Sequence, residues 1–81
     1  MTFDELKSTL IGMGMPPEQL NPDALRDEAG LDSLFAAELA LILRQEKGIR
    51  IPEEEILAAA TLADVAAAVA HRTGAGAGAE R

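Results

Sequence analysis

Apolar residues recur at helical spacing in three stretches of this chain, and no segment alternates with period two over a useful length. Phe3, Leu6, Leu10 and Met13 fall on one helical face. Thr2-Phe3-Asp4-Glu5 has the form of a capping box, with Thr2 as N-cap and Glu5 reaching back. This first helix is expected from about Phe3 to Gly12 or Met13, stopped by Gly14 and the pair Pro16-Pro17. Residues 14 to 30 then form a long connection with three prolines, anchored by Leu20, Leu25 and Met15. Connections of this length are often functional or carry short helical turns.

Asp32 is placed to cap a second helix that starts at Ser33, runs to about Glu46 and ends at Gly48. Pro52 keeps Ile49-Arg50-Ile51 extended and sits in the first turn of a short third helix. Glu53, Glu54 and Glu55 suit the positive end of that helix. Thr61-Leu62-Ala63-Asp64 resembles a second capping box, with Asp in place of Glu. Leu62, Val65, Ala66 and Val69 give the last helix its apolar face. From Thr73 onward, Gly74-Ala75-Gly76-Ala77-Gly78 offers no side chain large enough to dock. The expectation is all-α: a small four-helix bundle of three main helices plus one short helix, with a long loop between helices one and two. The domain should cover residues 1–73, followed by a flexible Gly/Ala-rich tail at 74–81.

The second helix is apolar on more than one side. Phe35, Leu39, Ile42 and Leu43 form one stripe; Leu34, Ala37 and Leu41 form another, with Glu38 at its edge. A helix that leans on a core needs only one stripe. Two stripes mean burial on two sides or an apolar face kept for a partner.

Composition narrows the function. Seven Lys plus Arg against fourteen Asp plus Glu give a formal charge of −7. That balance repels nucleic-acid backbones, and the absence of Trp and Tyr removes stacking platforms for single strands. It favours partners with basic docking patches; the plainer reading is that acidity serves solubility. No apolar run approaches the ~18 residues that span a bilayer. The start, Met1-Thr2-Phe3-Asp4-Glu5, lacks a basic leader, so a cytoplasmic monomer with no membrane contact is expected. No cysteine is present, so any thiol chemistry needs a thiol from a cofactor.

Ser33 stands where the second helix begins, near unpaired N–H groups and the positive end of the dipole. A phosphate ester there is electrostatically favoured. The bland reading makes Ser33 a cap and nothing more. A serine hydrolase needs a base and an oxyanion hole; the only histidine, His71, lies near the expected end of the last helix, and no Gly-x-Ser-x-Gly elbow surrounds Ser33. Glu53-Glu54-Glu55 lacks the spacing of a calcium loop, so no metal site is expected.

Gly30-Leu31-Asp32-Ser33-Leu34 resembles the phosphopantetheine attachment motif of acyl carrier proteins, in which Gly-x-Asp-Ser-Leu opens the second helix. Glu38-Leu39 matches a Glu-Leu pair that follows in many members. Gly48-Ile49-Arg50-Ile51-Pro52 is similar to the family's Gly-Ile-x-Ile-Pro segment, and Thr61-Leu62-Ala63-Asp64-Val65 to the start of its fourth helix. The resemblance covers roughly residues 3 to 72.

It implies that Ser33 is the attachment site for 4'-phosphopantetheine, transferred from coenzyme A by a phosphopantetheinyl transferase. Asp32 would orient the serine or the transferase's metal. The arm's thiol would carry acyl groups as thioesters to a ketosynthase, an acyltransferase or other loading and processing enzymes. Such a chain is a shared substrate rather than an enzyme. Leu34, Phe35, Ala37, Glu38 and Leu41, with Glu53, Glu54 and Glu55, would form the docking surface. The family pattern puts a polar, exposed residue where Phe35 stands, so Phe35 is expected exposed; the alternative packs it in the core beside Leu39. Phe35 and Arg44 depart from the acidic second helix of housekeeping fatty acid carriers. Leu31-Asp32 departs from the Gly-Gly-x-Ser-Leu of peptidyl carriers. A polyketide or mixed polyketide–peptide pathway is therefore expected, with a fatty acid or peptidyl carrier as the alternative. An unmodified helical interaction module is the alternative of another class.

Overall fold

A computed structural model describes residues 2–79, with side chains described through Arg72. Its elements are α1 (Phe3–Gly12), a 3-10 turn (Pro17–Gln19), α2 (Ser33–Lys47), α3 (Glu53–Leu57) and α4 (Leu62–Ala79). The helical bundle expected from the sequence is the fold of the chain.

Both capping boxes form. The Thr2 hydroxyl accepts from Glu5 N at 3.2 Å while Glu5 Oε1 accepts from Thr2 N at 2.9 Å. That bonding, led by the Thr2 backbone, holds the Glu5 carboxyl below its usual range. At α4, the Thr61 hydroxyl accepts from Asp64 N at 3.1 Å, and Asp64 Oδ2 accepts from Thr61 N at 3.4 Å. Helix α2 runs one residue past expectation to Lys47, where Gly48 adopts φ 67° and its N–H reaches Leu43 O. That left-handed cap is cheap only for glycine. Pro52 is the N-cap of α3 rather than its first helical residue.

The core takes Leu6 and Leu10 from α1, Ala36, Leu39 and Leu43 from α2, Ile56 from α3, and Leu62, Val65, Ala66 and Val69 from α4. Helix α2 packs on α3, and α1 on α4. Among the described residues no polar side chain is buried.

The long connection is threaded rather than loose. Met15, Leu20, Ala29 and Leu31 are buried in the core. Leu25, expected as an anchor, is instead 46% exposed. The reason is local: residues 22–26 run alongside the corner between α3 and α4, where Leu25 pairs with Thr61 in an isolated bridge through its backbone. Leu62 N bonds Ala24 O at 3.0 Å, Ala63 N bonds Pro22 O at 2.8 Å, and Arg26 N bonds Ala60 O at 2.9 Å. The backbone does the anchoring, and the Leu25 side chain is left outside.

Two further expectations change. The buried stripe of α2 is centred on Ala36, Leu39 and Leu43, with Phe35 and Ile42 only partly buried on its flank. His71 is exposed, and α4 continues past it to Ala79, so it does not stand at the helix end. The expected tail, 74–81, lies outside the residues whose side chains are described.

Candidate functional site

The approach to Ser33 is fixed by three local devices. Buried Ala29 and Leu31 hold the chain down on either side of Gly30. Gly30 itself adopts φ +104°, which disfavours any residue with a Cβ; such a Cβ would meet Met15 Cε at an ordinary 3.5 Å, so the constraint is conformational rather than steric. Asp32 then turns the chain into α2: its N–H bonds Gly30 O at 3.0 Å, and its carboxylate accepts from Phe35 N at 3.1 Å.

Arg26 ties this turn to the rest of the bundle. Its Nη1 donates to Leu31 O at 2.6 Å, and its Nε donates to Ala59 O at 3.2 Å. The guanidinium thus bridges the segment leading into Ser33 and the corner between α3 and α4. Nothing in sequence spacing indicated this role. The one available signal was a lone arginine among Asp23, Asp27 and Glu28.

Ser33 is the first residue of α2 and is exposed. The side-chain cap of α2 is Asp32, not Ser33. Among the described residues no hydrogen bond engages the Ser33 hydroxyl, and the backbone N–H groups of Ser33 and Leu34 have no acceptor. An accessible hydroxyl beside free N–H donors and a positive helix end is chemically suited to a phosphate diester. Among the described residues, His71 makes no hydrogen bond to Ser33 or Asp32.

The sequence of residues 5–69 matches the family model for the phosphopantetheine attachment site. The chain belongs to this family. It is a phosphopantetheine carrier domain, the attachment site for covalently bound 4'-phosphopantetheine. No solved structure matches the chain. Carrier domains of this kind serve biosynthetic enzymes and a phosphopantetheinyl transferase. The attached group supplies the carrier with the thiol that its cysteine-free sequence lacks.

Four of the expected docking residues share one open face of α2. Leu34 is 74% and Leu41 48% exposed, with Ala37 and Glu38 exposed beside them. The second apolar stripe therefore faces outward rather than into the bundle. Phe35 departs from the exposed placement expected of it. It lies one turn before Leu39, on the flank of the buried stripe, and packs partly against the core. On α3, Glu54 is exposed and Glu53 partly so, but Glu55 is taken: Arg72 on α4 donates Nε to Glu55 Oε1 at 3.0 Å and adds a second bond through Nη2. Among the described residues no helix is long and apolar enough to cross a membrane.

Proposed function

We propose that Ser33 carries the phosphopantetheine arm, and that this carrier presents acyl thioesters to enzymes of a polyketide or mixed polyketide–peptide pathway in the cytoplasm. One observation carries the assignment of Ser33: its hydroxyl is exposed and unengaged at the start of α2 while Asp32 does the capping. Asp32 orients the turn through that cap and is exposed next to the serine; its assigned role is to orient the serine or the transferase's metal. The chain is a substrate for its partners and not itself an enzyme.

Docking is assigned to Leu34, Ala37, Glu38 and Leu41, with Phe35 at the margin and Glu53 and Glu54 on the neighbouring helix. The polyketide reading rests on Phe35 and Arg44, which break the acidic pattern of fatty acid carriers, and on Leu31-Asp32, which differs from peptidyl carriers. A fatty acid or peptidyl pathway is the alternative cargo.

The open Leu34–Leu41 face also suits an unmodified interaction module. Intact mass separates the two. A carrier incubated with coenzyme A and a promiscuous transferase gains one phosphopantetheinyl group; an unmodified module gains nothing and the proposal fails. Mass analysis of the protein from its native producer then identifies the acyl cargo.

A further inference from the structure

Arg26 is joined through both backbone and side chain to each of two segments. Toward α2, Leu31 N–H donates to Arg26 O at 3.0 Å, and Arg26 Nη1 donates to Leu31 O at 2.6 Å. Both polar groups of Leu31 are thus held by one residue, and the chain between them forms a closed turn. Ala29 N–H to Leu25 O at 2.9 Å and Gly30 N–H to Asp27 O at 3.2 Å tighten the same turn. Toward the corner between α3 and α4, Arg26 N–H donates to Ala60 O at 2.9 Å, and its Nε donates to Ala59 O at 3.2 Å.

The acceptors explain why a guanidinium stands here. Leu31 precedes Asp32, the N-cap of α2, and Ala59 follows Ala58, the C-cap of α3. Neither carbonyl belongs to a helical ladder, so each needs a donor from elsewhere. A guanidinium presents two donors in a rigid fork, whereas a lysine ammonium is a point charge on a flexible stem. Pairing with nearby acids is not the reason. Asp23, Asp27 and Glu28 are exposed close by in sequence, and among the described residues Arg26 forms a salt bridge with none of them.

Leu31 is buried, and it stands two residues before the exposed Ser33. The place of the serine therefore depends on how the Leu31 backbone is held.

We infer that Arg26 is a positioning residue for modification of Ser33. Through Leu31 it fixes the serine relative to the corner between α3 and α4, so that a transferase docked on the bundle meets the hydroxyl at a set place. This rests on Ser33 as the attachment residue and adds the residue that sets its position. In the transfer, the Ser33 oxygen bonds the phosphorus nearer the pantetheine of coenzyme A. The pyrophosphate P–O bond breaks, adenosine bisphosphate leaves and the serine proton is released. Arg26 takes part in none of these bonds, so its loss should slow turnover rather than weaken docking.

The test compares apo wild type, Arg26→Lys and Arg26→Met with coenzyme A and a phosphopantetheinyl transferase, at a temperature where circular dichroism shows them folded. Intact mass and peptide mapping come first. If the wild type gains no group on Ser33, the Ser33 reading falls and the role of Arg26 with it. Once modification is established, kcat for Arg26→Met should drop about tenfold or more at little changed KM, since a misplacement of about 1 Å can cost ~100-fold. Arg26→Lys keeps the charge but cannot span both carbonyls, so it should recover only part of the loss. It also keeps the test decisive if Arg26→Met does not fold. Amide exchange gives a readout that a general loss of stability would not: Leu31 and Phe35 N–H should exchange faster in the variants relative to Leu39 and Leu43. Wild-type turnover in either variant, a rise in KM at unchanged kcat, or exchange that speeds equally along α2 would overturn the positioning role while leaving Ser33 in place.

Discussion

The two apolar faces of α2 are built from the same kinds of residue and meet opposite surroundings. Ala36, Leu39 and Leu43 are enclosed by the bundle, whereas Leu34, Ala37 and Leu41 are open. Burial of a leucine stabilises the fold by about 1.5–3 kcal/mol relative to leaving it exposed. The outer face forgoes that gain. Under the proposed function this is a division of labour: the inner face would hold Ser33 at a fixed place, and the outer face would stay free for enzymes that must bind and release.

The largest contrast should appear in stability. Leu39→Ala should cost about 2–5 kcal/mol, a large share of the ~5–15 kcal/mol that holds a domain together. Leu41→Ala should stay within about 0.5 kcal/mol. Urea melts of the two variants decide this, and equal losses would erase the distinction between the faces.

Arg26→Met sharpens the account of how the inner scaffold reaches the site. It removes two charged hydrogen bonds to carbonyls, at about 1.5–3 kcal/mol each when such bonds are intact. The midpoint should fall, and transferase kcat/KM should fall further than in a Leu39→Val variant matched to the same stability. A fall no greater than in that control would make Arg26 structural only.

Phe35 lies on the boundary between the faces. Complete burial would make Phe35→Ala cost ~3–5 kcal/mol; partial burial should give roughly half that. A loss within about 0.5 kcal/mol would restore the exposed placement read from the sequence.

The smallest effects should come from charge on the outer surface. Glu38→Lys with Glu54→Lys removes contacts worth roughly 0.2–1 kcal/mol each. Apparent KM for the transferase or ketosynthase should rise through slower association, and salt should weaken the wild type more than the variant. Rates indifferent to both changes would assign docking to Leu34 and Leu41.

Much of this was legible in the sequence because it depends on neighbours along the chain. Thr2 with Glu5, Thr61 with Asp64, Asp32 before Ser33 and Gly48 after Lys47 are local signals, and the helices follow from them. What was hidden depends on contacts between distant segments. Two stripes on α2 could be read, but which one is covered is decided by packing on α3. The exposure of Leu25 follows from its backbone bridge to Thr61. Arg26 bonds to carbonyls, which carry no side-chain signature.

The central claim is that the Ser33 hydroxyl is left free for the arm because Asp32 caps α2. Apo wild type and Ser33→Ala should be treated side by side with coenzyme A and transferase, then compared by intact mass, peptide mapping and circular dichroism. The account predicts one phosphopantetheinyl group on the wild type, mapped to Ser33, and none on an alanine variant that keeps its helical signal. Modification of the alanine variant, or of Ser8 in the wild type, would contradict it.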